Sequence, residues 1–116
     1  MSEHSARPAS AVVHFDISGP NDEELHRFYG DLLDWRIDRK GPGYALVQTP
    51  GGLGGAIVDS EHASVTLGVT VPDLAQAVAH AGKLGAVVVM PPTDNGWVTK
   101  AQIKDPAGNV LTLIQA

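Results

Sequence analysis

The chain repeats itself. From Ala11 it reads AVVHFDISGPNDEELHRFYGDLLDW, and from Ala63 it reads ASVTLGVTVPDLAQAVAHAGKLGA. The two stretches superpose at a constant offset of 52 without a gap, placing Pro20 on Pro72, Asn21 on Asp73, Leu25 on Ala77 and Leu32 on Leu84. In the first, Val13, Phe15 and Ile17 alternate with Val12, His14 and Asp16; in the second, Val65, Leu67 and Val69 alternate with Thr66, Gly68 and Thr70. Period-two alternation of this kind specifies a strand with two unlike faces. An amphipathic helix follows each strand. The first opens on Asn21 as N-cap with acidic residues in its first turn, and Leu25, Phe28, Tyr29, Leu32 and Leu33 fall on one side. The second opens on Asp73, carries Leu74, Ala77, Val78, Ala81 and Leu84, and stops at Gly85.

Three candidate strands then close each half: WRIDRK, YALVQT and LGGAIVD in the first, AVVVM, WVTKAQIKD and NVLTLIQ in the second. At an offset of 56, Thr49-Pro50-Gly51-Gly52 lies against Asp105-Pro106-Ala107-Gly108. The expected fold is therefore α+β, with two tandem βαβββ modules over residues 11–60 and 63–116 and a disordered tail over residues 1–10. A single unit leaves one sheet face uncovered, and two units together can bury it.

Composition narrows the function. The chain has 116 residues and no cysteine, which removes disulfides, thiolate metal sites and thiol nucleophiles. Thirteen acidic residues against eight basic ones give a net charge of −5, and Lys and Arg do not cluster. Duplex nucleic acid is not an expected partner. No apolar run reaches membrane-spanning length, and the polar start MSEHSARPAS lacks the apolar core of a signal peptide. A cytoplasmic setting is expected.

The segments HFDIS, LHRFYGDLLDW, GGLGG and DPAGNVLTL resemble the vicinal oxygen chelate superfamily, which includes glyoxalase I, bleomycin-resistance proteins and extradiol dioxygenases. The resemblance spans residues 11–115 and is most specific in FYGDLLDW and the Asp-Pro-x-Gly-Asn turn. It implies two modules curled into an open, barrel-like cup, with helices outside and a ligand on the concave face. It also implies homodimers. Metal-dependent members take ligands from the first and last strands of each module, and those positions here are His14, Ala56, Thr66 and Thr112. Of these only His14 is a competent ligand, and Thr112 stands where the pattern carries a glutamate. One imidazole with an alanine and two neutral hydroxyls does not make a Zn, Ni, Fe or Mn site.

His14 and Asp16 share a strand face, and a carboxylate beside an imidazole suits acid–base work as well as plain hydrogen bonding to a ligand. Tyr44 and Trp97 each stand at the start of a penultimate strand and serve as candidate walls. His26 and His80 are expected to be solvated on helices, His62 exposed in the linker, and His4 to lie in the tail. Adjacent Glu23 and Glu24 do not face one another on a helix. GGLGG lacks the Lys-Ser/Thr of a phosphate loop. PPTDNGW reads as a loop able to cover a cavity mouth.

The expected function is binding of a small organic molecule by His14, Asp16, Thr66, Thr112, Tyr44 and Trp97, without a resident cofactor. The alternative is a lyase, isomerase or dioxygenase whose divalent metal is completed by Asp16, a partner chain or the substrate. A third possibility is an interaction module whose sheet edge assembles a dimer.

Overall fold

The computed structural model describes residues 9–116. His4 and most of the expected N-terminal tail lie outside the described residues. The elements run β1 (Val12–Gly19), α1 (Asp22–Leu33), β2 (Arg36–Gly41), β3 (Tyr44–Gln48), β4 (Gly54–Asp59), β5 (Ser64–Val71), α2 (Leu74–Lys83), β6 (Val87–Asp94), β7 (Thr99–Lys104) and β8 (Val110–Gln115). This is βαβββ twice. β5 begins and ends 52 positions after β1, and β8 begins and ends 56 positions after β4, so the sequence offsets are structural ones.

The eight strands form one open sheet in the order β2-β3-β4-β1-β5-β8-β7-β6. Within each module the first and last strands run parallel, β1 with β4 and β5 with β8. The modules join through antiparallel pairing of β1 with β5, which sets Asp16 opposite Thr66 and His14 opposite Gly68. These two pairs are images of each other under the repeat, so an approximate two-fold axis passes between them.

Both helices lie on one face. Phe15, Ile17, Val47 and Ile57 form a buried cluster under Leu25 and Tyr29 of α1, with Trp35 and Ile37 packed alongside. Val71, Leu74, Ala101, Ile103 and Leu113 form the second cluster, under Ala77, Val78 and Ala81 of α2. Burying an aliphatic side chain of this size contributes about 1.5–3 kcal/mol. Between the helices Val65 and Leu67 remain exposed on the same face.

The helix ends are built differently. Asp73 caps α2 by accepting from the Gln76 N–H at 3.1 Å. Gly85, at φ 101°, lets the Ala86 N–H return to the Ala81 carbonyl. Asn21 precedes α1 in a left-handed conformation, φ 61°, and its side chain makes no capping bond. It donates instead to Glu24 Oε1 at 2.7 Å.

Two expectations for the second half are corrected. PPTDNGW is not one loop, because β6 continues through Pro91 and Pro92 to Asp94. β6 is an edge strand with two register shifts against β7. A missing proline N–H is tolerated there, where half the backbone groups face away from the sheet. Trp97 does not begin β7. It sits in a tight turn held by Asn95 Oδ1, which accepts from the Trp97 and Val98 N–H groups at 3.0 Å each. No helix of the described residues is long and apolar enough to cross a membrane.

Candidate functional site

The alternation that sends Phe15 and Ile17 toward α1 sends His14 and Asp16 to the opposite, helix-free face. Strand register extends that face into two rows. One runs Leu46, Ala56, Asp16, Thr66 across β3, β4, β1 and β5. The other runs Gly54, His14, Gly68, Thr112, Gln102, Met90 across β4, β1, β5, β8, β7 and β6. Register alone thus brings His14, Asp16, Thr66 and Thr112 onto four neighbouring positions at the join of the two modules.

The polar groups there are mutually bonded. His14 Nε2 and Asp16 Oδ1 are 3.1 Å apart, and both side chains are partly exposed. With Nε2 donating to the carboxylate, Nδ1 is the ring atom left for a ligand. Thr66 and Thr112 are buried polar residues. Gln102 Nε2 donates to Thr112 Oγ1 at 3.3 Å, which holds the hydroxyl oxygen as an acceptor and leaves its own O–H to donate. Tyr44 opens β3 on the same face. Burial, and then the nearby Asp16 carboxylate, push its hydroxyl above the ordinary value of 10.0. It therefore stays protonated and able to donate at neutral pH.

The floor is shaped by small residues. Ala56 is fully buried in the position opposite Asp16. At Gly68 a Cβ would lie 2.9 Å from Ile114 Cδ1 and 3.1 Å from His14 Cβ, so a side chain there would push the Ile114 methyl aside and crowd the base of His14.

Of the expected site residues, Trp97 does not join the others. It is 84% exposed in the β6–β7 turn. The repeat mate of Tyr44 is Lys100, 56 positions on: Tyr44 pairs with Val58 as Lys100 pairs with Ile114. Nothing in the local sequence of β7 marks Gln102 or Lys100, since its one aromatic neighbour, Trp97, lies outside the strand; the β8 offset of 56, applied to β7, places them on Leu46 and Tyr44. His26 was expected to be solvated and is instead buried, at 7% exposure, on the sheet-facing side of α1. His62 and His80 are exposed as expected.

Residues 12–114 match the model of the glyoxalase-like domain, and the chain belongs to that family within the vicinal oxygen chelate superfamily. Among solved structures it is similar to a glyoxalase/bleomycin resistance protein/dioxygenase superfamily member from Vibrio splendidus. That match has 13% identity and a TM-score of 0.71, covering 93% of this chain and 100% of the other. It is also similar to methylmalonyl-CoA epimerase from Mycobacterium tuberculosis, with 16% identity, TM-score 0.69 and coverage of 95% and 93%. The Mn(II)-bound glyoxalase from Novosphingobium aromaticivorans matches at 12% identity and TM-score 0.70, over 92% of this chain and 40% of that one. At these identities the likeness concerns the fold. No curated protein matches the sequence.

Proposed function

We propose that the helix-free face binds a small organic molecule rather than a chelated divalent metal. The observation that carries this reading is the donor set at the module join. Ala56 offers no donor atom, Thr112 Oγ1 already accepts from Gln102, and the His14 ring is tied to Asp16. Such a set does not fit the ion that metal-dependent relatives use, since one imidazole and one carboxylate cannot hold it against water. What the set does supply is a graded hydrogen-bonding surface. Tyr44 and the Thr112 hydroxyl donate, Asp16 and His14 Nδ1 accept, the Thr66 hydroxyl does either, and Leu46, Val58 and Ile114 provide apolar wall between them.

The test is a thermal-shift screen of small organic acids, aromatics and thiol conjugates, followed by calorimetry of the hits on His14→Ala and Thr112→Val. The reading expects at least one ligand whose affinity falls about tenfold or more in each variant, in keeping with loss of one buried hydrogen bond. Hits that bind both variants as tightly as the wild type would contradict it.

The His14–Asp16 bond favours a second reading, in which the imidazole moves a proton on the bound molecule. A carboxylate that accepts from one ring nitrogen fixes the tautomer and leaves the other nitrogen free to take a proton from the bound molecule. Solvent-deuterium incorporation into a bound carbonyl compound, lost in Asp16→Asn while binding persists, is the result this reading expects. Retention of exchange in both Asp16→Asn and His14→Ala would end it.

A further inference from the structure

On the other side of the sheet lies a second group of chemistry-bearing residues that the inner face does not use. His26 is 93% removed from solvent, and neither ring nitrogen has a hydrogen-bond partner. Buried imidazole nitrogens are nearly always satisfied, so two unpartnered ones in a single ring call for a ligand. The groups facing them are carboxylates at distances too long for a hydrogen bond. Asp22 Oδ2 is 3.6 Å from Nε2, and Glu23 Oε2 is 3.9 Å from Nδ1. One donor atom from each of Asp22, Glu23 and His26 lies within 4.8 Å of the others.

The repeat shows that the fold does not need these residues there. Asp22 and His26 are the mates, 52 positions earlier, of Leu74 and Val78. In α2 those positions are occupied by apolar side chains packed onto the second core cluster. In α1 the same helix face carries an acid and an imidazole. Glu23 is oriented by Arg39, whose guanidinium bonds Oε1 and leaves Oε2 toward His26.

We propose that Asp22, Glu23 and His26 bind one divalent first-row cation. Two carboxylate oxygens and one imidazole nitrogen make a borderline donor set suited to Zn²⁺ or Mn²⁺, with water or an exogenous oxygen ligand completing the shell. The three acids of the first turn, Asp22, Glu23 and Glu24, offset the positive helix end that would otherwise repel a cation. An ion takes one ring nitrogen only: Nε2 and Asp22 Oδ2, 3.6 Å apart, are spaced as two ligands about 2.0–2.2 Å from a shared ion can be. The site is separate from the inner face, because His26 and His14 lie on opposite sides of the sheet.

The experiment is calorimetric titration of the full chain with Zn²⁺, with Co²⁺ visible absorption as a second readout. One equivalent is expected to bind, to be lost or weakened at least about tenfold in His26→Val, and to be unchanged in His14→Ala. His26→Val restores the residue that α2 carries, so it is expected to fold; Asp22→Leu/His26→Val copies the α2 face more fully. Should either fold poorly, Mn²⁺ broadening of the amide signals of residues 22–26 in the wild-type chain reads the site directly. No binding by the wild type, full binding by His26→Val, or broadening confined to residues near His14 would each overturn the proposal.

Discussion

In the first module the Phe15 ring lies over Gly55, close enough that a Cβ at that glycine would sit 2.5 to 2.6 Å from three ring carbons. In the second module the mates of that pair are Leu67 and Leu111. Leu111 fills the core position and Leu67 is left exposed. The same backbone is thus packed by one large ring over a glycine in one half and by a leucine from the neighbouring strand in the other. The contrast extends to every aromatic residue except Trp97: Phe15, Phe28, Tyr29, Trp35 and Tyr44 all precede residue 61. Tyr29 stacks on Trp35 at 5.5 Å between ring centroids, and Phe15 lies 5.6 Å from Trp35. The titratable groups follow suit. His14, Asp16, Asp22 and His26 have Thr66, Gly68, Leu74 and Val78 as mates. A duplicated frame can keep one copy as packing while the other carries the chemistry, because the repeat conserves backbone and register and leaves the side chains free.

That comparison can be broken at several points. The largest effect belongs to the cores. Ile57 is the largest fully buried side chain, and Ile57→Ala is expected to cost about 3–4 kcal/mol in denaturant unfolding. Its mate Leu113→Ala should cost a similar amount if the two clusters share one cooperative transition. Two separate transitions would show instead that the modules unfold independently.

Next comes the ring-over-glycine solution. Gly55→Leu, which installs the second module's residue, is expected to cost about 2–3 kcal/mol by overpacking against Phe15. Much of that loss should return in Phe15→Leu/Gly55→Leu, since residues in contact couple strongly. Strict additivity of the two changes would mean that the modules do not use alternative packings.

The helix starts give a smaller contrast. Asp73→Ala removes a capping bond and should cost about 1 kcal/mol. Asn21→Gly relieves a left-handed non-glycine residue that makes no cap, and should leave stability unchanged or raise it by a few tenths of a kcal/mol. Equal losses at both positions would contradict the difference in geometry.

The smallest effect is at the mated turns. The Asn109 side chain, then backbone N–H groups, hold the Asp105 carboxyl below its ordinary value of 3.8. A depressed carboxyl contributes stability that is fully present above the unfolded value and is lost as pH falls through the folded one. Hydrogen-exchange protection in the β7–β8 turn, taken relative to the intrinsic rate at each pH, should therefore fall below about pH 4. The β3–β4 turn carries Thr49 in that place, and its exchange should show no such step.

The sequence made the modules legible because the strongest signals coincided. Alternation in β1 and β5, the Asx residues Asn21 and Asp73 ahead of each helix, and glycines at mated turn positions all recur at fixed offsets. Gly52 and Gly108, 56 apart, both adopt positive φ, 95° and 101°. The same alternation placed His14, Asp16, Thr66 and Thr112 on one face. What failed was local. Pro91-Pro92 reads as a loop unless the strand is known to be an edge. Trp97 invited alignment with Tyr44, although its backbone belongs to a turn. His26 looked solvated because its neighbours in sequence are charged; only comparison with Val78 shows that it occupies a core-facing position.

The claim that the first module's side chains carry the inner-face chemistry is tested most directly by converting them to their mates. His14→Thr/Asp16→Gly places the second module's residues on the first module's strand. For a ligand found in the thermal-shift screen, calorimetry should show affinity lowered about a hundredfold or more, as expected for two lost polar contacts. Circular dichroism and the thermal transition should still report a folded chain. Undiminished affinity in that folded variant would contradict the account.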